Sequence, residues 1–199
     1  KQAFLDAENA KNEGYYFIHP FDGPLTLQGS ATLGLEIVEY LKSINTKIDN
    51  LLISVGGGGL ISGVSSYVKQ FYPKIKIIGV EPENANGLNQ SFVADKPLNN
   101  VKVNSIADSL SAPLHMQYSF DVAKELIDEM VTVSDDQMRE FMLFCYNKFK
   151  LFLEPACVAG LAALKHKINN EINGKNTMVI LCGSNIDKKS WVNITNQSG

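Results

Sequence analysis

The sequence predicts an α/β fold: a mostly parallel sheet with helices on both faces. Three observations carry this expectation. Short apolar runs at residues 51–55, 76–80, 129–133 and 177–181 read as strands, the first of them with the continuous apolar character of a strand buried on both faces. Between them lie stretches with apolar residues at helical spacing. The strand-helix-strand unit at residues 51–80 implies parallel strands joined by a right-handed crossover.

The elements follow in order. Residues 1–13 read as a helix ended at Glu13-Gly14. Tyr15-Tyr16-Phe17-Ile18 is an aromatic and β-branched run, hence a short strand. Two prolines and a glycine make residues 19–24 a loop. Leu33, Leu35, Ile37, Val38 and Leu41 mark a helical face over about residues 30–41. The strand at 51–55 runs into four glycines, and a helix from Leu60 stops at Phe71, ahead of Pro73. Residues 82–113 are loop-rich with a short helix near 87–92, and residues 117–128 are helical. Ser134 with Gln137 three residues on is a capping-box signature opening a helix to about Lys150. Residues 154–168 form another helix, and the last strand runs into Cys182-Gly183-Ser184-Asn185. The polar tail, residues 188–199, is expected to fray.

Composition excludes several classes. With 199 residues, 45% hydrophobic and 20% charged, the chain has an ordinary globular mixture and enough length for a substantial core. A net charge of -3 with no basic run argues against a nucleic-acid partner. No apolar run approaches a membrane span, and the amphipathic start lacks a signal peptide's apolar stretch. Cys145, Cys157 and Cys182 are too few and too scattered for a disulfide framework. No cysteine pair has zinc-ligand spacing, and His19, His115 and His166 are dispersed, so no metal site is read. Reduced thiols in the cytoplasm fit this usage.

The segment Ser54-Val55-Gly56-Gly57-Gly58-Gly59-Leu60 is a strand-to-helix turn built to bind a phosphate. Glycines let the backbone take positive φ and turn N–H groups into a concavity. The following helix adds its free N–H groups and the positive end of its dipole. A flexible linker is the bland alternative, disfavoured because a buried strand and an apolar helix frame the glycines. Glu81, at the end of the next strand, stands where a ribose-binding acid of a dinucleotide site would lie. The G-x-G-x-x-G spacing nevertheless fails in every register, at Ile61, Ser62 or Leu60. No Gly-Lys-Ser/Thr follows, which excludes a P-loop. Cys182 to Asn185 also follow a strand and converge on the same end of the sheet.

These residues resemble the fold-type II pyridoxal-phosphate enzymes, in the branch of the threonine/serine dehydratases and serine racemases. The ordered series is His19-Pro20-Phe21-Asp22, Gly29 to Glu36, Ser54 to Gly63, Gly79-Val80-Glu81-Pro82, Ile106-Ala107-Asp108, Glu154-Pro155-Ala156 and Cys182 to Asp187. The resemblance implies pyridoxal 5'-phosphate as cofactor, with its phosphate on Gly56, Gly57, Gly58, Gly59 and Leu60. It places Cys182 opposite the pyridine nitrogen, where a thiol leaves that nitrogen largely unprotonated and favours β-elimination. It places Glu154 close to the ring, one contact removed, and Asp108 near the substrate side. Read alone, Cys182 is a buried core thiol and Glu154 a structural acid at a helix start.

Departures accompany the resemblance. Ser30 and Ala31 stand for Gln-Gly, Ser109 for Gly and Cys157 for Gly. The racemase branch's divalent-cation site would use Glu81, the Ala85 carbonyl and a carboxylate at position 87, which is glycine here. The family's Schiff-base lysine and its substrate-carboxylate loop match nothing in this sequence, so no catalytic residue is assigned. The expected organisation is residues 1–14 as the end of a preceding small domain or linking helix, 15–187 as the large cofactor-binding domain, incomplete at its N-terminal side, and 188–199 as a tail. The implied reaction is dehydration and deamination of threonine or serine to a 2-oxo acid and ammonia by the intact protein, an assembly of identical chains. The alternatives are a non-catalytic fragment or phosphate-binding module, and a serine racemase.

Overall fold

The structure is a computed structural model and describes residues 2–197. Lys1 and residues 198–199, which belong to the expected first helix and tail, lie outside the described residues. Four parallel strands, β1 (Asn50–Ser54), β2 (Lys76–Pro82), β3 (Glu129–Val133) and β4 (Thr177–Val179), form one sheet in the order β3-β2-β1-β4. The helices are α1 (Gln2–Asn12), α2 (Pro24–Ser43), α3 (Gly59–Phe71), α4 (Gly87–Val93), α5 (Gln117–Leu126), α6 (Asp135–Phe149), α7 (Pro155–His166) and α8 (Lys188–Asn196).

The pleat of β1 and β2 divides the core in two. Leu51, Ile53 and Ile77 face one side, where α2, α3 and α5 bring Val38, Leu41, Val64 and Phe120. Leu52, Ile78 and Val80 face the other, where α6, α7 and α8 bring Met142, Ala159 and Trp191. Successive side chains of a strand point to opposite faces, so a run that is apolar at every position needs cover on both. Each fully buried Leu or Ile contributes about 1.5–3 kcal/mol. The expected α/β architecture with helices on both faces is the one observed.

The start of the sheet is tied by polar bonds. Asn50, buried, donates from Nδ2 to Thr177 Oγ1 at 3.0 Å. The Ile77 N–H donates to Asp128 Oδ2 at 2.7 Å. Ser134 and Gln137 form the anticipated capping box at the start of α6, with bonds of 3.2 and 3.0 Å.

Four local expectations are corrected. Residues 15–18 are not a strand: Tyr15, Tyr16 and Ile18 are exposed and no strand among the described residues pairs with them. Strand preference expresses packing on a pleated surface, which is missing there. Helix α2 begins at Pro24, not near residue 30, because Gly23 takes φ +91° and a proline suits the first helical position. Strand β4 ends at Val179, although Ile180 N–H still reaches Leu52 O at 3.1 Å. The tail does not fray over its described length. Asp187 caps α8 by accepting from Lys189 N–H and Ser190 N–H, and Trp191 and Thr195 are buried.

Candidate functional site

Strand β1 delivers its last ladder bond from Val55 N–H to Val80 O at 2.8 Å, and the chain then turns through the glycines. Gly58 sits at φ +91°, a left-handed conformation that a residue with a β-carbon adopts only under strain, and it is the residue from which α3 springs. The first intrahelical donor is Ser62, whose N–H reaches Gly58 O at 3.0 Å. The N–H groups of Gly59, Leu60 and Ile61 ahead of it have no intrahelical acceptor. Residues 55–61 line a cavity of about 370 Å³, together with Phe21, Ser54, Ser109, Glu154 and Cys182. It opens at the carboxyl ends of the strands, where ligands of parallel sheets sit.

The structure brings the residues expected to hold the cofactor to this one cavity, and leaves Asp108 outside it. Gly56, Gly57, Gly58, Gly59 and Leu60 form one wall. Cys182 follows β4 and is exposed, which sets aside its reading as a buried core thiol. Glu154 precedes α7 but makes no side-chain cap to it. Its Oε1 accepts the Ser109 hydroxyl at 3.0 Å, and a β-carbon on Gly183 would come within 2.5 Å of it. Glu154 is buried, at the boundary between this cavity and a neighbouring one. Asp108 stands apart: it accepts from Ser109 N–H at 2.9 Å and lines a neighbouring cavity of about 330 Å³ with Asp187 and Ser190.

Other residues entered the sequence reading only as parts of a motif, or not at all. Ser54 Oγ is buried with no hydrogen-bond partner among the described residues, and Ser54 lines the glycine cavity. Phe21 walls the turn: a β-carbon on Gly59 would sit 2.8 Å from Phe21 Cα, and one on Gly57 would collide with the ring. The motif around Phe21 explains its fixed place. Thr26 Oγ1 donates to His19 O at 2.8 Å, the His19 and Phe21 rings meet edge to face at 4.6 Å, and Asp22 Oδ1 accepts Ser119 N–H at 2.7 Å. His115 donates from Nε2 to Gly56 O at 3.1 Å. A lone aromatic or histidine in a loop carries no sequence signal for such a contact; only the His19 to Asp22 run pointed to this region.

Glu81 is fully buried, with both oxygens used by α4: Oε1 accepts Leu88 N–H at 2.8 Å and Oε2 accepts Asn89 N–H at 2.9 Å. Burial raises its pKa to about 7, against the lowering effect of those two bonds. Among the described residues no group of three or more His, Cys, Asp or Glu could hold a metal ion. No lysine lines the glycine cavity among the described residues. Nor is any helix among them long and apolar enough to cross a membrane.

Comparison with known proteins agrees with this geometry. The chain is 42% identical over 179 residues to the phenylserine dehydratase of Ralstonia pickettii, covering 90% of this chain and 54% of that protein. It is 33% identical over 190 residues to the catabolic L-threonine dehydratase TdcB of Escherichia coli strain K12, covering 95% and 56%. Among solved structures, the processed form of threonine deaminase isoform 2 from Solanum lycopersicum superposes with a TM-score of 0.88 at 33% identity, covering 96% and 55%. Maize serine racemase superposes with a TM-score of 0.84 at 29% identity, covering 97% and 58%. The chain thus spans about half the length of the relatives it matches. The model of the family described as "Pyridoxal-phosphate dependent enzyme" matches residues 2–183. A strand-borne glycine turn, with Glu154 and Cys182 across one cavity, and a family match over nearly the whole chain make this protein a member of the pyridoxal-phosphate-dependent enzymes.

Proposed function

We propose that this chain is the cofactor-phosphate portion of an ammonia-lyase that dehydrates and deaminates a small β-hydroxy amino acid to a 2-oxo acid and ammonia. The observation that carries the proposal is the cavity itself: a cradle of glycines open to backbone N–H donors, with an unpartnered Ser54 hydroxyl beside it. These residues fit pyridoxal phosphate. A dianionic phosphate needs several N–H or O–H donors and no competing side chain, which the turn offers. When bound, the cofactor supplies an electron-withdrawing ring that stabilises charge developing at the substrate α-carbon.

The chain's own residues do the rest. The amides of Gly56 to Leu60 and the Ser54 hydroxyl would hold the phosphate. Cys182 would contact the ring nitrogen, and Glu154, fixed by Ser109, would act beside it. Phe21 keeps water off one side of the turn. The names of the dehydratase relatives support a β-hydroxy amino acid as substrate, threonine, serine and phenylserine being the candidates.

The racemase reading is weaker on one observation. Both Glu81 oxygens already accept amides of α4, and Gly87 adds no carboxylate, so this corner is built as a helix anchor. With no lysine on the cavity wall among the described residues, the isolated chain is proposed to bind the cofactor without a covalent link and to be inactive alone. Assembly into a homo-oligomer and a cytoplasmic location remain part of this proposal. The test is 2-oxo acid release from threonine, serine and phenylserine by the full gene product. No product from any of the three would sink the lyase assignment.

A further inference from the structure

His115 lies behind the glycine turn rather than in the cavity. The residue is 4% exposed and is absent from the cavity wall. Nε2 approaches Gly56 O at 3.1 Å, and because a carbonyl can only accept, Nε2 carries the proton. Nδ1 is then a bare lone pair, buried and without a partner among the described residues. Burial lowers the pKa of the ring, which keeps it neutral and in that single-donor form. An apolar side chain would fill the same space without leaving a buried nitrogen unpaired, a cost that needs a return. The space is tight: a β-carbon on Gly87 would come within 2.6 Å of His115 Cε1. The backbone of His115 is pinned too, its N–H donating to Leu98 O at 2.7 Å.

The return lies in the geometry of one peptide unit. All peptide bonds of the described chain are trans, so the Gly56 carbonyl and the Gly57 N–H point in opposite directions from a common plane. A carbonyl held toward His115, away from the cavity, turns the Gly57 N–H toward the cavity. Glycines on both sides of this unit would otherwise let it rotate freely. A donor on the carbonyl also polarises the unit and strengthens the N–H at its other end.

We propose that His115 is the positioning residue of the phosphate cradle, holding the peptide between Gly56 and Gly57 in its anion-binding orientation. The inference rests on the reading of residues 56–60 as a phosphate site. It is tested by equilibrium dialysis of the 199-residue chain with pyridoxal phosphate, inorganic phosphate and pyridoxal, the last lacking the phosphate. Two variants break the bond by independent routes: H115L removes the donor, and G87A displaces the ring. Each is expected to weaken pyridoxal phosphate and inorganic phosphate by about three- to tenfold, the worth of one hydrogen bond, with pyridoxal unchanged. H115Q, which keeps an N–H donor, should restore affinity to within about twofold of the parent. Parental affinity for phosphate in both H115L and G87A overturns the inference alone. Equal losses for pyridoxal phosphate and pyridoxal also overturn it, since they report a general structural role. A parent chain that binds neither phosphate compound overturns the phosphate reading and this inference together.

Discussion

A β-carbon on Gly57 would collide with the ring of Phe21, closest to its Cγ. The glycine at this position is therefore required by a neighbour as well as by the turn. Gly57→Ala must push Phe21 away or tilt the peptide, and either opens the cavity wall. We expect a loss of pyridoxal-phosphate affinity of about tenfold or more, roughly 1.4 kcal/mol, measured by dialysis. Phe21→Ala in the same chain should recover part of it, with a coupling of about 0.5–3 kcal/mol in a double-mutant cycle. Additive effects of the two substitutions would show that the ring and the turn act separately.

Glu81 and His115 should shape pH stability in opposite senses. Glu81 is a carboxyl whose folded pKa is raised to about 7 from 4.5, so between those values the folded state binds more protons than the unfolded one. Stability from this group is fully present below about 4.5 and falls as pH rises toward 7, by at most about 3 kcal/mol. His115 is lowered from 6.5, so the unfolded state takes up its proton first and stability from it falls as pH drops below 6.5. Denaturant unfolding of the parent and of Glu81→Gln across pH 5 to 7.5 isolates the first effect. The gap between the two proteins should shrink in the parent's disfavour as pH rises, and a constant gap would refute it.

The three thiols should differ sharply in reactivity. Cys145 and Cys157 are buried, and burial, with nearby Cys182 and Glu154, pushes the Cys157 thiol up to about 12. Cys182 is exposed on the cavity wall. A thiol reagent applied to the folded chain should label one cysteine, identified as Cys182 by peptide mapping. Saturating pyridoxal phosphate should slow that labelling at least about fivefold if the ring covers the thiol, whereas unchanged labelling would place the cofactor elsewhere.

Helix α8 should be integral to the domain. Trp191 is 7% exposed, donates from Nε1 to Leu153 O at 3.1 Å, and stacks on Phe152 at 4.9 Å between centroids. Trp191→Ala is expected to cost about 3–5 kcal/mol, and Trp191→Phe less, since it keeps most of the packing and loses the hydrogen bond. Thermal unfolding of both variants checks the order. Because Leu153 adjoins Glu154, the larger change should also loosen the Glu154 side of the cavity.

Much of the fold was legible because its strands are uniform apolar runs and its turns carry glycines. Residues 51–55 and the four glycines named both the sheet and the site. Ser134 with Gln137 named the start of α6. The failures share a cause: the deciding partner was distant in the chain. Tyr15 to Ile18 have the composition of a strand but no strand beside them. Residues 188–196 look polar, yet Trp191 and Thr195, four apart, give α8 an inward edge once Asp187 caps it. Phe21, Ser109 and His115 act through space on residues 36 to 59 positions away, a relation no local pattern encodes.

The double-sided core has a mechanical consequence for the site. A strand apolar on one face is locked in place, because sliding it by one residue would expose its greasy side. Strand β1 has no such lock, since Leu51, Leu52 and Ile53 are welcome on either face. A one-residue slip against β4 would carry the glycine turn about 3.3 Å relative to Cys182, enough to take the cavity apart. The alignment is fixed instead by polar pegs at the far end of the sheet, the 3.0 Å bond from Asn50 to Thr177 foremost. An asparagine one strand-length from the cavity thus acts as the ruler by which its two walls are set.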